Sequence, residues 1–152
     1  MPLFNTIGTP ELGLVPYMPL VSRKDILAIA AVVDIAVHSR TRPVSAKALA
    51  TRHKLPPRHL EPVLQALVRE GILKGVRGPH GGYSLARDHK RITAEDIMHA
   101  AGREDDGDVP LPVSSLISEV VRPALGDAER SFATALGRIS VEDLARAAEK
   151  QK

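Results

Sequence analysis

Apolar residues recur at helical spacing in several stretches of the chain. The first stretch predicts a helix that begins after Ser22 and runs to about His38. Ser22 and Asp25 have the spacing of a capping box, in which side chains satisfy the free amides of the first turn. Ser45 is the predicted cap of a short second helix, and the proline-containing turn at 54–57 leads into a third. The pattern therefore predicts three helices separated by short connections.

The third helix carries the most regular apolar stripe and is predicted to run to about Glu70. Pro62 lies inside it, where proline removes a hydrogen bond and usually kinks the axis. We therefore expect an irregular first turn, with regular helix starting near Glu61. The predicted buried residues of the stripe are Leu60, Val63, Leu64, Leu67 and Val68.

Two short apolar runs, 72–76 and 83–86, flank a segment rich in glycine and proline. This arrangement is typical of two antiparallel strands joined by a loop. Gly78, Gly81 and Gly82 allow the positive φ angles that such a loop requires. Helices followed by a β-hairpin predict a winged helix-turn-helix, a module that reads duplex DNA.

The chain divides into four predicted parts. Residues 1–20 contain four prolines and no helical period, so we expect an irregular arm. Residues 21–102 form the predicted winged helix-turn-helix, which includes a fourth helix capped by Thr93. Residues 103–113 form an acidic loop, and residues 114–152 a helical dimerisation region. The predicted fold class is mainly α with a small β-hairpin: a winged helix-turn-helix plus a long C-terminal dimerisation helix.

The dimerisation region opens with a long amphipathic pattern that needs a surface to cover. Pro123 and Gly126 predict a kink near its middle. Ser140 and Asp143 have capping-box spacing at the start of a short last helix. A partner helix from a second copy would give a two-fold homodimer, and packing back onto the same chain is the alternative. The expected interface residues are Leu116, Val120, Leu125, Phe132 and Leu136.

The net charge of +3 conceals an uneven distribution. Residues 40–91 contain twelve Lys or Arg and three Asp or Glu, whereas residues 102–152 contain seven bases and ten acids. A basic block confined to the predicted winged helix indicates contact with phosphates. A solvated basic face is the alternative, and we favour DNA because the charge coincides with the motif.

Composition excludes several classes of site. The chain has no cysteine, which excludes disulfides, thiolate metal sites and cysteine nucleophiles. Its six histidines have no metal-site spacing, and no nucleophile elbow or carboxylate pair indicates an enzyme. The loop Gly78–Gly82 leads into a strand, so a helix terminus that would bind a nucleotide phosphate is missing. No apolar run is long enough to span a membrane, and we expect a cytoplasmic protein without cofactor or metal.

The candidate DNA contacts lie on the third helix, the wing and the flanking segments. For any one residue, phosphate contact or plain exposure is an alternative to base readout. On the recognition helix they are Arg58, Glu61 and Gln65, on the wing Arg77 and His80, and for the DNA backbone Ser45, Lys47 and Lys74.

Taken together, these residues resemble the Rrf-two family of bacterial transcriptional regulators, the IscR-, NsrR- and CymR-like proteins. The resemblance implies a homodimer that binds a partly palindromic operator through the third helix and the wing. It places the family glutamate on Glu61 and the wing arginine on Arg77. The matching motifs are Val44-Ser45, Leu60-Glu61-x-x-Leu64-x-x-Leu67, Gly71-Ile72-Leu73, Val76-Arg77-Gly78-Pro79-x-Gly81-Gly82-Tyr83-x-Leu85-Ala86-Arg87 and Ile92-Thr93-x-x-Asp96-Ile97.

Two departures from the family refine this expectation. Many relatives hold an iron–sulfur cluster through three cysteines, and the equivalent stretch here, 99–115, has none. Pro62 follows the family glutamate and cannot hydrogen-bond a base, so no operator sequence is borrowed from relatives. We expect a sequence-specific regulator, a homodimeric repressor without a cluster, with its small-molecule or protein effector left open. The alternative is a winged-helix module that recruits a protein partner without specific DNA binding.

Overall fold

The computed structural model describes residues 20–102 and 114–151. The predicted acidic loop and, but for residue 20, the predicted N-terminal arm lie outside these ranges. The predicted order of elements is confirmed. In chain order they are α1 (Arg23–His38), α2 (Ala46–His53), α3 (Pro57–Arg69), β1 (Leu73–Val76), β2 (Gly82–Leu85), a 3-10 turn (His89–Arg91), α4 (Ala94–Ala101), a π-helical turn (Ile117–Val121), α5 (Arg122–Gly137) and α6 (Val141–Glu149).

Helix α1 lies at the centre of the fold and contacts α3, α4, α6 and β2. Its predicted capping box is present: the Asp25 amide donates to Ser22 Oγ at 3.1 Å, and the Ser22 amide donates to the Asp25 carboxylate at 2.9 Å. The cap satisfies amides that a helix start leaves free. The apolar residues that α1 buries are Ala28, Ala31, Val32 and Ile35.

Helices α2 and α3 form the helix-turn-helix. Ser45 caps α2, and its Oγ accepts a hydrogen bond from the Ala48 amide at 3.0 Å. The helix ends at Lys54, whose left-handed φ of 55° redirects the chain. Pro56 then precedes α3 in an extended conformation, as expected for a residue followed by proline.

The prediction that regular helix starts only near Glu61 is wrong. Helix α3 begins at Pro57 and continues through Pro62. A proline at the first helical position loses nothing, because that N–H has no intrahelical partner. Pro62 cannot donate to the carbonyl of Arg58, which costs about 3 kcal/mol in a helix interior. Burial of the opposite face offsets this loss, and the residues buried there are Leu60, Val63, Leu64, Ala66 and Leu67.

Strands β1 and β2 pair in antiparallel register, with Leu73 opposite Leu85. The loop between them turns at Pro79, where the Gly81 amide donates to the Gly78 carbonyl at 2.9 Å. Of the three glycines expected to allow positive φ in this loop, Gly78 has a φ of +117° and Gly82 one of +154°, whereas Gly81 does not have a positive φ. The predicted wing is therefore present, within one residue at each strand end.

The wing is anchored to the connection between α1 and α2. Tyr83 and Val44 exchange two backbone hydrogen bonds, each of 2.8 Å. Gly82 has a φ of +154°, and a Cβ atom there would lie well inside van der Waals contact of the Val44 carbonyl. Only glycine therefore permits this close approach of the two backbones.

Helix α5 differs from its prediction. It runs without interruption through Pro123 and Gly126, and the irregularity is the π-helical turn Ile117–Val121 before them. Pro123 is the second residue of α5, where a missing N–H is tolerated. The helix is therefore continuous at mid-length, and the π-helical distortion lies directly N-terminal to Pro123. None of the side chains of α5 is buried.

Helix α6 returns to the N-terminal half of the described chain and packs on α1. Backbone hydrogen bonds join the two parts, including one of 2.8 Å from the Val141 amide to the Ile92 carbonyl. Ser140 caps α6 as predicted, accepting from the Asp143 amide at 3.0 Å. The reciprocal half of the predicted capping box does not form among the described residues, because the Asp143 carboxylate faces Arg146 Nη1 at 3.5 Å.

The predicted fold class is confirmed: a mainly helical chain with one small antiparallel hairpin. Within 20–102 and 114–151, no helix has the length and apolar character needed to cross a membrane.

Candidate nucleic-acid interface

The outward face of α3 carries the three predicted recognition residues. Arg58, Glu61 and Gln65 are all exposed. Their spacing of three and four residues places them on one side of the helix, opposite the buried stripe. Exposed Pro62 and Arg69 extend the same face. The structure therefore brings basic, acidic and amide side chains and one proline ring together on one accessible surface.

The wing carries exposed polar groups at its base and along its loop. Arg77 directly follows β1 and is exposed, as is His80. Lys74 is exposed on β1 and lies opposite Ser84 of β2. All three predicted wing-side residues are therefore accessible to a ligand.

A cleft separates the wing loop from the start of α2. It unites Ser45 and His80, two of the predicted contacts, with Arg42 and Arg52, which sequence analysis did not select. Lys47 is exposed in the first turn of the same helix. The Ser45 oxygen already accepts from the helix, but its hydroxyl hydrogen can still be donated. The cleft thus offers several hydrogen-bond donors of the kind that bind phosphate.

Most of the basic block is free of internal ion pairs. Of the twelve Lys and Arg between 40 and 91, nine make no ion pair with any residue in the described ranges. An unpaired basic surface of this size attracts polyanions. The three that do face carboxylates are Arg40 with Glu149, Arg52 with Asp34 and Arg87 with Asp96.

A buried carboxylate that sequence analysis missed fixes α1 to α2. Asp34 is 8% exposed. Arg52 Nε and Nη2 donate to its two oxygens at 2.9 and 2.6 Å. His53 Nε2 and His38 Nδ1 lie 3.0 and 3.2 Å from the same carboxylate. The available signal was an acid inside the apolar run 30–37 of α1.

This environment changes the acidity of Asp34. Burial raises the pKa of Asp34, but the hydrogen bonds and charge of Arg52, with the charges of His38 and His53, outweigh that effect. The pKa of Asp34 is therefore held below its ordinary value of 3.8. The charged carboxylate orients Arg52 at the edge of the cleft.

Replacing Asp34 tests this brace. Asp34→Asn is expected to lower the free energy of unfolding at pH 7 by about 1–3 kcal/mol, because charged hydrogen bonds to a buried group are lost. The Arg52 side chain is 37% exposed and can rehydrate, which favours the lower half of that range. Because the pKa of the folded state is depressed, the stabilisation is present above about pH 4 and disappears as pH falls further.

Urea unfolding at pH 7 and at pH 3 measures both effects. The difference between wild type and Asp34→Asn should shrink at the lower pH. Asp127→Asn is the matched control, because its pair with Arg130 is 73% exposed on both sides and contributes little. Equal stability of wild type and Asp34→Asn at pH 7 would contradict the proposed brace.

The predicted dimer residues differ in exposure. Leu116, Val120 and Leu125 are 61%, 58% and 60% exposed. Phe132 and Leu136 are half-buried. Each of the first three leaves most of its apolar side chain open to solvent.

Comparison with known families supports the same assignment. The family described as "Rrf2: Iron-dependent Transcriptional regulator" matches residues 21–147. "Protein rrf2" of Nitratidesulfovibrio vulgaris is 30% identical over 118 residues, which cover 74% of this chain and 78% of that protein. "HTH-type transcriptional regulator IscR" of Xenorhabdus nematophila is 34% identical over 79 residues, or 52% of this chain. The chain spans about half the length (48%) of the IscR relatives that it matches.

Solved structures agree over a longer part of the chain. The structure of T. potens IscR superposes with a TM-score of 0.69 at 30% identity and covers 93% of each chain. CymR of B. subtilis, the global cysteine regulator, gives a TM-score of 0.65 at 25% identity over 86% of this chain and 98% of that one.

The iron dependence in the family description does not fit the donor atoms present here. The chain has no cysteine, so thiolates cannot ligate a cluster. Within the described ranges no group of His, Asp and Glu is placed to hold a metal ion. The motifs, the winged helix and the match over residues 21–147 nevertheless make this chain a member of the Rrf2 family of transcriptional regulators.

Proposed function

We propose that the chain is a cytoplasmic, homodimeric repressor that binds a specific sequence of double-stranded DNA and needs no metal centre. The observation that carries this proposal is the set of nine basic side chains between residues 40 and 91 that make no ion pair within the described ranges. A module that bound only protein would have no need of that charge. Because the family consists of transcriptional regulators, DNA is the polyanion that we expect this basic surface to bind.

The outward face of α3 supplies the base contacts in this proposal. A helix of this kind enters the major groove with its early residues nearest the base edges. Arg58 can donate to guanine or to a phosphate, Glu61 can accept from cytosine N4, and Gln65 lies one turn further along. Arg77 reaches the minor groove beside the wing, where a narrow A·T tract attracts a guanidinium.

The backbone contacts surround these elements. Ser45 and His80 line the cleft, and Lys47 and Lys74 are exposed on α2 and β1. In this proposal all four donate hydrogen bonds to phosphates. Such contacts fix register and orientation and carry no sequence information.

The dimer rests on α5 and the turn before it. Helix α5 has no fully buried side chain, so its own chain covers only part of its apolar surface. A second copy would cover the apolar surface of Leu116, Val120 and Leu125 with the same surface. Two copies related by a two-fold axis would read a partly palindromic operator.

The test is selection of binding sequences from random duplexes, followed by titration at two salt concentrations. We expect one enriched, partly palindromic sequence whose advantage over random duplex persists at the higher salt. Random duplex should lose affinity steeply with salt, because its binding comes from counterion release. No enrichment, with equal and salt-sensitive binding, would contradict the proposal and favour the partner-recruiting module.

Two substitutions separate readout from attachment. Glu61→Ala should remove about 1–3 kcal/mol of discrimination at one cytosine position per half-site and change affinity for random DNA little. Arg77→Ala should weaken specific binding without creating tolerance at that cytosine. Titration against the selected site and its cytosine variants measures both. An equal loss on specific and random DNA for Glu61→Ala would contradict the readout role.

A further inference from the structure

Pro62 is an exposed proline inside a helix, where proline is normally unfavourable. It occupies the second turn of α3, where it removes a helix hydrogen bond, and its ring is exposed. The buried face of α3 is filled by other residues, so the core does not require a proline here. Positions at which a sequence works against its own fold, with no gain in packing, are expected at functional sites.

The position of Pro62 on the helix is specific. At about 100° per residue, Arg58 and Gln65 mark the middle of the outward face. Glu61 lies to one side of that line and Pro62 to the other. Among the exposed residues of this face, Arg58, Glu61, Gln65 and Arg69 are polar and Pro62 is apolar. Val68, which was predicted to be buried, is 36% exposed at the edge of the face beside Glu61. A carboxylate and an apolar ring thus lie on opposite sides of the centre of this face.

We propose that Pro62 is a specificity-determining residue that packs against the C5-methyl group of a thymine in the major groove. This inference rests on the proposed function. Thymine is the one standard base that presents a methyl group there, and apolar side chains contact it. The proline ring has no donor at its nitrogen, so it cannot satisfy the N7 acceptor of a purine. Each half-site should therefore contain a thymine opposite Pro62, separate from the cytosine opposite Glu61.

Replacing thymine by deoxyuridine isolates the methyl group, because the base pair and its hydrogen bonds are unchanged. The full-length protein is titrated onto its selected duplex with each thymine replaced in turn. At one position per half-site, affinity should fall about 4-fold, the effect of removing one buried methyl group. Replacement in both half-sites should lower affinity about 15-fold if the two contacts are independent.

The protein partner in this contact is identified by Pro62→Ser. Serine removes the apolar ring and restores the missing N–H, so α3 should be at least as stable as in the wild type. The variant should bind the thymine duplex more weakly and should no longer distinguish thymine from uracil at that position. Pro57→Ser is the matched control, the same change at an exposed proline of α3 outside the proposed contacts. It should keep the full difference between thymine and uracil.

The outcomes separate the inference from the function on which it rests. Failure to enrich any sequence overturns both. An enriched site in which no deoxyuridine weakens the wild type overturns the inference alone. So does a Pro62→Ser variant that keeps the full thymine preference, since another residue would then contact the methyl group.

Discussion

Gly82→Ala is expected to detach the wing and to lower specific DNA binding on the order of 10- to 100-fold through displacement of Arg77 and His80. The added Cβ atom would overlap the Val44 carbonyl, and the φ of +154° is one that side chains rarely adopt. Relief requires separation of Tyr83 from Val44 and loss of their two hydrogen bonds. Backbone strain and lost hydrogen bonds together should lower the free energy of unfolding by about 3 kcal/mol.

The matched control is Gly75→Ala in the neighbouring strand. Gly75 has no atom near its potential Cβ and needs no positive φ. Alanine there should leave both unfolding and DNA affinity within a small margin of the wild type. Urea unfolding and titration onto the selected duplex measure the pair. Wild-type affinity and stability in Gly82→Ala would show that the anchor to Val44 does not hold the wing.

If the chain forms the proposed dimer, Leu125→Glu is expected to convert it to a monomer at micromolar concentration. Leu125 is 60% exposed on α5, and a two-fold interface would bury it twice. A carboxylate forced into an apolar contact without a partner is destabilising by about 3–5 kcal/mol, so dimerisation should weaken by at least about 100-fold. Full-site DNA affinity should then fall by about 100-fold or more, because the second half-site is no longer held nearby.

Sedimentation measures the oligomeric state, and titration onto full and half sites measures the coupling. Thr134→Glu is the control with the same added charge, since Thr134 is exposed on the opposite side of α5. It should remain dimeric and bind DNA. A dimeric Leu125→Glu with wild-type affinity would place the interface elsewhere. The monomer fold should be unchanged in both variants, because neither residue is buried in the single chain.

The sequence predicted those parts of the fold whose causes are local. The wing was placed within one residue because glycine and proline fix the turn, and α1 and α4 were placed by Ser22 and Thr93, whose caps have a fixed spacing. The exposed side of α3 followed from its apolar stripe. These features depend on residues a few positions apart, so they can be predicted from one amino-acid sequence.

The predictions were wrong or incomplete where the structure depends on contacts between residues far apart in the chain. Pro62 was expected to delay α3, but burial of five side chains against other elements keeps the helix regular around it. The Asp34 cluster joins residues eighteen and nineteen positions apart, and no spacing rule connects them. The cleft was also missed, because Arg42 and His80 meet only after the wing folds back onto Val44.

The junction between α5 and α6 has a geometric consequence. Two backbone hydrogen bonds, Ala94 to Ile139 and Val141 to Ile92, tie the end of α5 to α4, and Val141 is fully buried. The winged helix-turn-helix is thus joined directly to the end of α5 through these contacts. In a dimer that associates through α5, the rotation of that helix about its own axis would set the angle between the two α3 helices. The number of residues in α5, a helix remote from the DNA bases, would then determine the spacing between operator half-sites.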